Sequence, residues 1–436
     1  MTRQRELKAL VRERMAKTGE RYSAARVHIL SKPTPQPART LPGLLDGYDR
    51  FGGIQAGTGP VSNVLRHAGV VSPVSGRPLS EATVNGLCGG PGFLYAVFEY
   101  KGWPPLLSLA LQSRSMPDVY IGEGISRLGL RTLVHETTSK AAARRALDEA
   151  LAAGTSPLCV VDVASLPWYG LPPEFIGGGP HVVAVAGRDG ERYWIDDRAS
   201  RPMAIDADTL AAARAAYRQA KNRLVVIDAS KPAGDLRQPT SRAIADTVLR
   251  YTEPAVPKSF WVNCGWSGLE KWRAMLTDRK DKKAWPAVFA EGARAYAGLQ
   301  RAYESIECQL APGAGRTLYA EFLDEAATTL DRPGLSEAAA AFRQASGAWA
   351  AIANLIAAVP DKALREACSI SDRRLALSDD GLATREASRD LWSRRKDLAS
   401  ECRLSKDDAL AIYADMAVLV GAIIEAERSA VAAMQV

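Results

Sequence analysis

The sequence predicts a mixed α/β (α+β) domain over residues 46–230 followed by an all-α domain over residues 259–436, and three observations predict it. His181-Val-Val-Ala-Val-Ala186 and Arg192-Tyr-Trp-Ile-Asp196 flank Gly187-Arg188-Asp189-Gly190-Glu191, which reads as a β-hairpin with an Asp-Gly turn. Residues 140–153 read as a helix stopped by Gly154 and lead into an apolar strand over 157–163. From residue 259 onward the chain turns Ala-rich, and apolar residues recur at helical spacing over 287–310, 317–330, 335–359 and 407–433.

The other elements follow in order. Residues 1–30 read as a basic helical arm, and residues 31–45 as a linker, because Pro33, Pro35, Pro37 and Pro42 cannot continue a helix. A helix is expected over 61–68, with Pro60 at its first position. Gly86-Leu87-Cys88-Gly89-Gly90-Pro91-Gly92 is expected as a loop or tight turn, and the apolar stretch 93–100 as buried. A helix over 208–219 and a strand over 223–228 complete the first domain. The proline-interrupted stretch 231–258 reads as a linker.

Composition bounds the function. A chain of 436 residues that is 47% hydrophobic and 24% charged is globular and too long for one ordinary domain. The net charge of +7 is local: residues 1–28 hold eight Lys/Arg against three Glu, which is +5, and leave +2 on the other 408 residues. A body that tracks phosphates is not indicated, so no nucleic-acid partner is expected, and the arm reads as a solvated helix. No apolar run of about 18 residues is visible, so no membrane partner is expected. The N-terminus opens on no apolar signal core, so a cytoplasmic protein is expected. The cysteines Cys88, Cys159, Cys264, Cys308, Cys368 and Cys402 form no C-x-x-C pair and no zinc spacing with histidine. Neither a Walker loop nor a strand–GxGxxG–helix unit is present. No cofactor and no metal are therefore expected.

The chemistry is expected at His181, which follows Gly177-Gly178-Gly179-Pro180 and opens a strand. A hairpin returns the chain, so Asp196 or Asp197 ends beside the start of that strand, and Asp197 is the expected partner. A carboxylate there could fix the tautomer and orientation of the imidazole, as in a nucleophile–His–Asp triad. A lone histidine at a strand start is otherwise a satisfied polar group. His67 and His135 read that way, and Trp261, Trp266, Trp272 and Trp285 read as core anchors.

The run Gly-Pro-His181-Val-Val-Ala-Val-Ala-Gly-Arg-Asp-Gly, continued by Trp-Ile-Asp-Asp197, resembles the His/Asp half of papain-like bacteriocin-processing peptidases. It more closely resembles the N-terminal domain of the butirosin biosynthesis protein H family. Phe51-Gly52-Gly53-Ile54, Asn63-Val64-Leu65-Arg66-His67-Ala68-Gly69, Ser80-Glu81 and the glycine-rich run from Gly86 to Tyr95 carry the same resemblance. So does the second half, through Asn263-Cys264-Gly265-Trp266-Ser267-Gly268-Leu269-Glu270-Lys271-Trp272, Trp285-Pro286 and Leu318-Tyr319-Ala320-Glu321-Phe322. It looks like the helical domain of unknown function that accompanies that family.

The resemblance implies a papain-like fold and transfer of an acyl group from an acyl carrier protein to a small amine through a cysteine thioester. It places the nucleophile about nine residues before Leu65, at a helix entrance, where the helix N-terminus would favour a thiolate. That position is Ala56, and a methyl group cannot attack a carbonyl. Candidates for the vacated role are Cys88, in a glycine-rich stretch whose N–H groups could stabilise a thiolate, and Thr58. Gln55 is a candidate oxyanion donor.

The family-level expectation is thus an acyltransferase-like protein of specialised metabolism that is slow or inert toward acyl thioesters as it stands. Two alternatives stand beside it. One is a non-catalytic papain-like relative that binds an acyl carrier, a peptide or a small ligand. The other is an assembly or regulatory protein that recruits partners through the arm and the helical domain.

Overall fold

The computed structural model describes residues 41–101, 104–112, 117–228, 234–309 and 313–435, with Val11 and Ala25. The arm expected over 1–30, those two helical residues apart, and most of the linker expected over 31–45 lie outside the described residues. The chain enters with α1 (Thr58–His67), α2 (Glu81–Cys88) and the hairpin β1 (Pro91–Phe98) and β2 (Leu106–Gln112). It continues through α3 (Pro117–Arg127), β3 (Arg131–His135), α4 (Lys140–Ala152) and β4 (Leu158–Asp162). Then come β5 (Pro180–Asp189), β6 (Arg192–Asp196), β7 (Met203–Asp206), α5 (Ala207–Ala216) and β8 (Leu224–Asp228). After α6 (Arg237–Arg250) and α7 (Gly265–Thr277) the longer elements are α8 (Gly292–Glu307), α9 (Arg316–Leu330), α10 (Gly334–Ala357), α11 (Lys362–Asp379), α12 (Arg385–Glu401) and α13 (Lys406–Gln435). The first half thus mixes helices with sheet. Among the described residues from 259 onward every regular element is helical.

Six strands form one sheet in the order β3-β8-β4-β5-β6-β7, with every pairing antiparallel. The central strand β5 sets the register, with His181 opposite Val161 on β4 and Ala184 opposite Asp196 on β6. The β5–β6 hairpin turns at Gly190 (φ 58°), as the Asp-Gly signal requires. Local caps start the helices: Ser80 accepts from Thr83 N at α2, Ser139 from Ala142 N at α4 and Asp206 from Thr209 N at α5.

Four expectations are corrected. Residues 86–88 are helical, not loop, because Ser80 caps a helix that runs to Cys88. The turn is confined to Gly89 and Gly90, both at positive φ. Pro60 is the third residue of α1, not the first, which is still within the turn whose N–H groups have no intrahelical partner. The stretch 231–258 holds α6: Pro239 stands at its third position at no hydrogen-bond cost, and Ala243, Ile244 and Thr247 bury one face. Finally, α13 is long and apolar enough to cross a membrane by length and composition. Its residues Tyr413, Met416, Val420 and Ile423 instead lie in the helical core.

The halves share their cores. Leu87 and Cys88 of α2 pack in one cluster with Tyr319 and Phe322 of α9, where a side chain at Gly86 would collide with the Phe322 ring. Phe93 and Tyr95 of β1 and Leu107 and Leu109 of β2 join the helical cluster, with Phe93 stacked on Trp272 at 5.6 Å. Trp272 and Trp285 are fully buried there, whereas Trp261 and Trp266 are half-exposed.

One buried ion pair ties these pieces together. Arg316 Nε donates to Glu427 Oε1 at 2.8 Å, and both side chains are fully buried. The other guanidinium nitrogens donate to the carbonyls of Leu111 (2.7 Å), Ala314 (2.9 Å) and Gly92 (2.9 Å). Tyr251 Oη (2.6 Å) and Trp349 Nε1 (3.1 Å) complete the carboxylate. Glu427→Ala, which leaves the cation buried and unpaired, should lower the unfolding free energy by about 3–5 kcal/mol. Replacing both partners, Arg316→Met with Glu427→Leu, should recover most of it. Chemical denaturation of the single and double variants tests this, and a double variant as unstable as the single would sink it.

Candidate functional site

The site is built at the end of β6, where consecutive carboxylates bind different parts of the chain. Asp197, only 1% exposed, accepts from His181 Nε2 at 2.9 Å, across 16 positions of sequence. The indole Nε1 of Trp168 donates to Asp197 Oδ2 at 2.8 Å, and the Tyr169 hydroxyl donates to the same oxygen at 3.1 Å. Tyr169 Oη also lies 3.4 Å from His181 Nε2, its ring edge-on to the imidazole at 5.5 Å. A carboxylate at Nε2 assigns the proton of the neutral ring to that nitrogen. Nδ1 then carries the lone pair. The described residues offer it no hydrogen bond, and the His181 side chain keeps 12% of its surface exposed. The expectation of a carboxylate within reach of His181 is met by Asp197.

Asp196 does other work. Fully buried, it accepts from Tyr48 Oη (2.7 Å), Gly52 N (2.7 Å) and Asn63 Nδ2 (2.9 Å). It therefore clamps both ends of the segment 52–63, and Asn63 closes the clamp on the Gly52 carbonyl at 2.8 Å. The expected nucleophile position lies inside that segment. Ala56 is half-buried in the turn two residues before α1, which starts at Thr58. The segment and His181 are thus tied to adjacent residues at the end of β6.

Glu81 shapes the turn from the other side, its carboxylate accepting from Ile54 N and Gln55 N, both at 2.8 Å. Gly53 is required there, since a Cβ would lie 2.7 Å from the Glu81 carboxylate. Gln55 is buried, and its carbonyl oxygen accepts from Thr58 Oγ1 at 3.3 Å and from the Asn85 amide. Its amide nitrogen is left as a donor. Thr58 is fully buried and spends its hydroxyl on Gln55 and Glu81, so it offers no nucleophile.

Cys88 does not fit the nucleophile's role. It is 2% exposed at the C-terminal end of α2, packed against Gly124, and burial pushes its thiol up to about 12. That is the opposite of thiolate activation. Burial likewise raises Cys159 and Cys308, and Cys264 and Cys402 to about 11.

Sequence reasoning missed Tyr48, Trp168, Tyr169 and Asp162. Asp162, fully buried at the end of β4, accepts from Gly177 N (2.9 Å) and Ser165 N (3.0 Å). It closes the neck of the loop 163–179, which carries Trp168 and Tyr169 and delivers His181. The one sequence signal was the glycine run, which marks a close backbone approach. His67 Nε2 donates to the Gly154 carbonyl at 3.1 Å and its ring lies tilted against Tyr48 at 5.3 Å, and His135 sits exposed on β3.

Burial is the largest influence on Asp196. It outweighs the hydrogen bonds from Tyr48, Gly52 and Asn63 and lifts the carboxyl from 3.8 to about 7, with the Asp197 charge adding to the rise. Between those values the folded protein holds the proton and the unfolded chain does not. Stability contributed by Asp196 therefore falls as pH rises from about 4 to about 7. Asp196→Asn should flatten that dependence in denaturation curves across the window, and an unchanged slope would refute the assignment.

Comparison with known proteins agrees with this organisation. Residues 55–198 match the N-terminal domain of butirosin biosynthesis protein H, and residues 208–387 match a domain of unknown function (DUF4872). The second match begins within α5, so β8 falls inside it. No curated protein matches the chain.

Proposed function

Since the chain joins the butirosin biosynthesis protein H N-terminal domain to the domain of unknown function that follows it, we propose that it transfers an acyl group from a thioester to an amine, with His181 acting directly on the acceptor. The observation that carries this reading is the His181–Asp197 contact of 2.9 Å, which leaves the Nδ1 lone pair uncommitted among the described residues. A papain-like scaffold accounts for the order of segment 52–63, His181 and Asp197, with a methyl group at Ala56 where the family has its nucleophile.

In the step proposed, the amine nitrogen attacks the thioester carbonyl carbon while Nδ1 of His181 takes an N–H proton. The C–N bond forms, the C–S bond breaks, and the departing thiolate recovers the proton from the imidazolium. Amide and free thiol result. Gln55 Nε2 is the donor for the transient oxyanion. By family resemblance the thioester is borne on an acyl carrier protein. General-base assistance of this kind is worth about 10²–10⁴-fold, so the direct route is slower than a cysteine enzyme. A second reading, binding of the thioester without turnover, is favoured by Ala56 itself.

The test uses a small acyl thioester of N-acetylcysteamine with a panel of primary amines, read by thiol release and intact-protein mass. Amide should form with no acyl adduct on the protein, and His181→Ala should reduce the rate about 10²-fold or more. An adduct on any native cysteine would overturn direct transfer, and thiol release equal to that of His181→Ala would leave the binding reading. Ala56→Cys should gain an adduct and react with iodoacetamide at neutral pH faster than the six native thiols.

A further inference from the structure

The residues that grip Asp197 are themselves gripped by the helical half. Ser388 of α12 donates its hydroxyl to the Trp168 carbonyl at 2.9 Å, and that serine is buried. Arg374 of α11 donates through Nη2 to the Tyr169 carbonyl at 3.3 Å. The next residue, Gly170, has φ 58° and lies so close to α12 that a side chain would collide with Ser388 Cβ. Phe175, farther along the loop, sets its ring edge against Trp392 of α12 at 5.9 Å. From the opposite direction, Arg198, adjacent to Asp197, pairs with Asp379 of α11 at 2.9 Å.

We infer that α11, within the match to the domain of unknown function, and α12, which runs on past its end, are part of the site, and that Ser388 and Arg374 are positioning residues that hold Trp168 and Tyr169 on Asp197. The loop shares this work with the helices: Trp168 packs in the core cluster of the sheet and Tyr169 N donates to the Leu166 carbonyl at 3.3 Å, but neither contact occupies the carbonyls of Trp168 and Tyr169. The loop's own anchor, Asp162, closes only the neck at Ser165, Gly177 and Gly179. Trp168 and Tyr169 lie in the span between those anchor points, and the backbone carbonyls there are fixed by donors from the helices.

Arg374 is in turn held against the Trp392 face at 4.8 Å and by Glu304 at 3.4 Å. It is a braced donor, not a wandering surface side chain. Orientation of a general base by a group that is itself held is the usual need of such a pair, since small displacements are costly to rate.

The inference deepens the reading of His181 as a base, and its test separates the two. In the full chain, the His181 Nε2–H and Trp168 Nε1–H protons are followed by NMR for exchange with solvent, assigned through His181→Gln and Trp168→Phe. Ser388→Ala should speed both exchanges about threefold, and Ser388→Ala with Arg374→Met about tenfold or more, the loss expected for one and two modest hydrogen bonds. Thioester transfer should fall in parallel through kcat, with KM for the thioester unchanged.

Tyr413→Phe is the control. It removes a buried hydrogen bond to the Phe289 carbonyl (2.6 Å) in the helical core, away from the loop, and should leave both exchange rates and kcat as they were. Equal exchange in wild type and the Ser388 and Arg374 variants, with melting intact, would overturn the positioning role while leaving His181 as a base. A tenfold exchange change in Tyr413→Phe would show mere destabilisation. A wild-type His181 with no Nε2–H resonance would remove the base reading and this inference together.

Discussion

The burial of Asp196, Asp197 and Arg198 in succession is the constraint on which the site depends. Charged residues are rarely buried unless fully partnered, and each of these finds partners in a different part of the molecule. Asp196 takes Tyr48, Gly52 and Asn63. Asp197 takes His181, Trp168 and Tyr169. Arg198 takes Asp379 and, at 3.1 Å, the Cys308 carbonyl. Three chain segments are thereby tied to one short run at the end of β6, and none can move far without stranding a buried charge. Gly52 is required for the same reason, since its backbone (φ 70°) passes against the carbonyls of Arg198 and Ala199.

The helical half obeys the same logic. Glu304 is half-buried between Arg395 (2.6 Å) and Arg374 (3.4 Å). Burial alone would raise its carboxyl, but Arg395, Arg301 and Arg374 outweigh it and hold the group at about 2. Arg395 lies over the Trp392 ring at 4.1 Å, so the ring that meets Phe175 is backed by two cations. Arg316 with Glu427 repeats the pattern and fixes the β1–β2 hairpin into the helices. Buried pairs of this kind add little net stability compared with apolar packing, but they punish every alternative arrangement. Specification of one docking geometry between the halves is the role that argument leaves them.

How much of this was legible in the sequence depends on the range of the interaction concerned. The β5–β6 hairpin was legible because its turn residues and alternation are local, and with it came the pairing of His181 with a carboxylate. Asp197 was the expected partner of the imidazole through the family resemblance, while the local pattern alone left Asp196 open, because one residue reverses the face. Asp196 turned to Tyr48 and Asn63, more than a hundred positions away. The helix ending at Cys88 was obscured by its glycines. Position 86 takes a glycine within the helix because Phe322 occupies the space of a side chain, a contact no local rule contains. Trp168 and Tyr169 carried no signal, since their importance lies in a carboxylate 28 or 29 positions on and in helices more than 200 positions on.

A base and its orienter without a nucleophile are still a chemical device. In a triad the nucleophile's advantage is a covalent intermediate that splits one difficult step into two. The histidine and its carboxylate serve proton transfer in either case, and an amine that approaches Nδ1 presents the same N–H it would present to an acyl-enzyme. On the proposed reading, what the methyl of Ala56 removes is the intermediate, and with it the tolerance for an acceptor that arrives after the thiol has left. Direct transfer needs thioester and amine bound together, so the site must order two substrates at once. Two clamps, Asp196 on the segment 52–63 and the helical half on the loop of Trp168 and Tyr169, fix the segments that the proposed transfer would use.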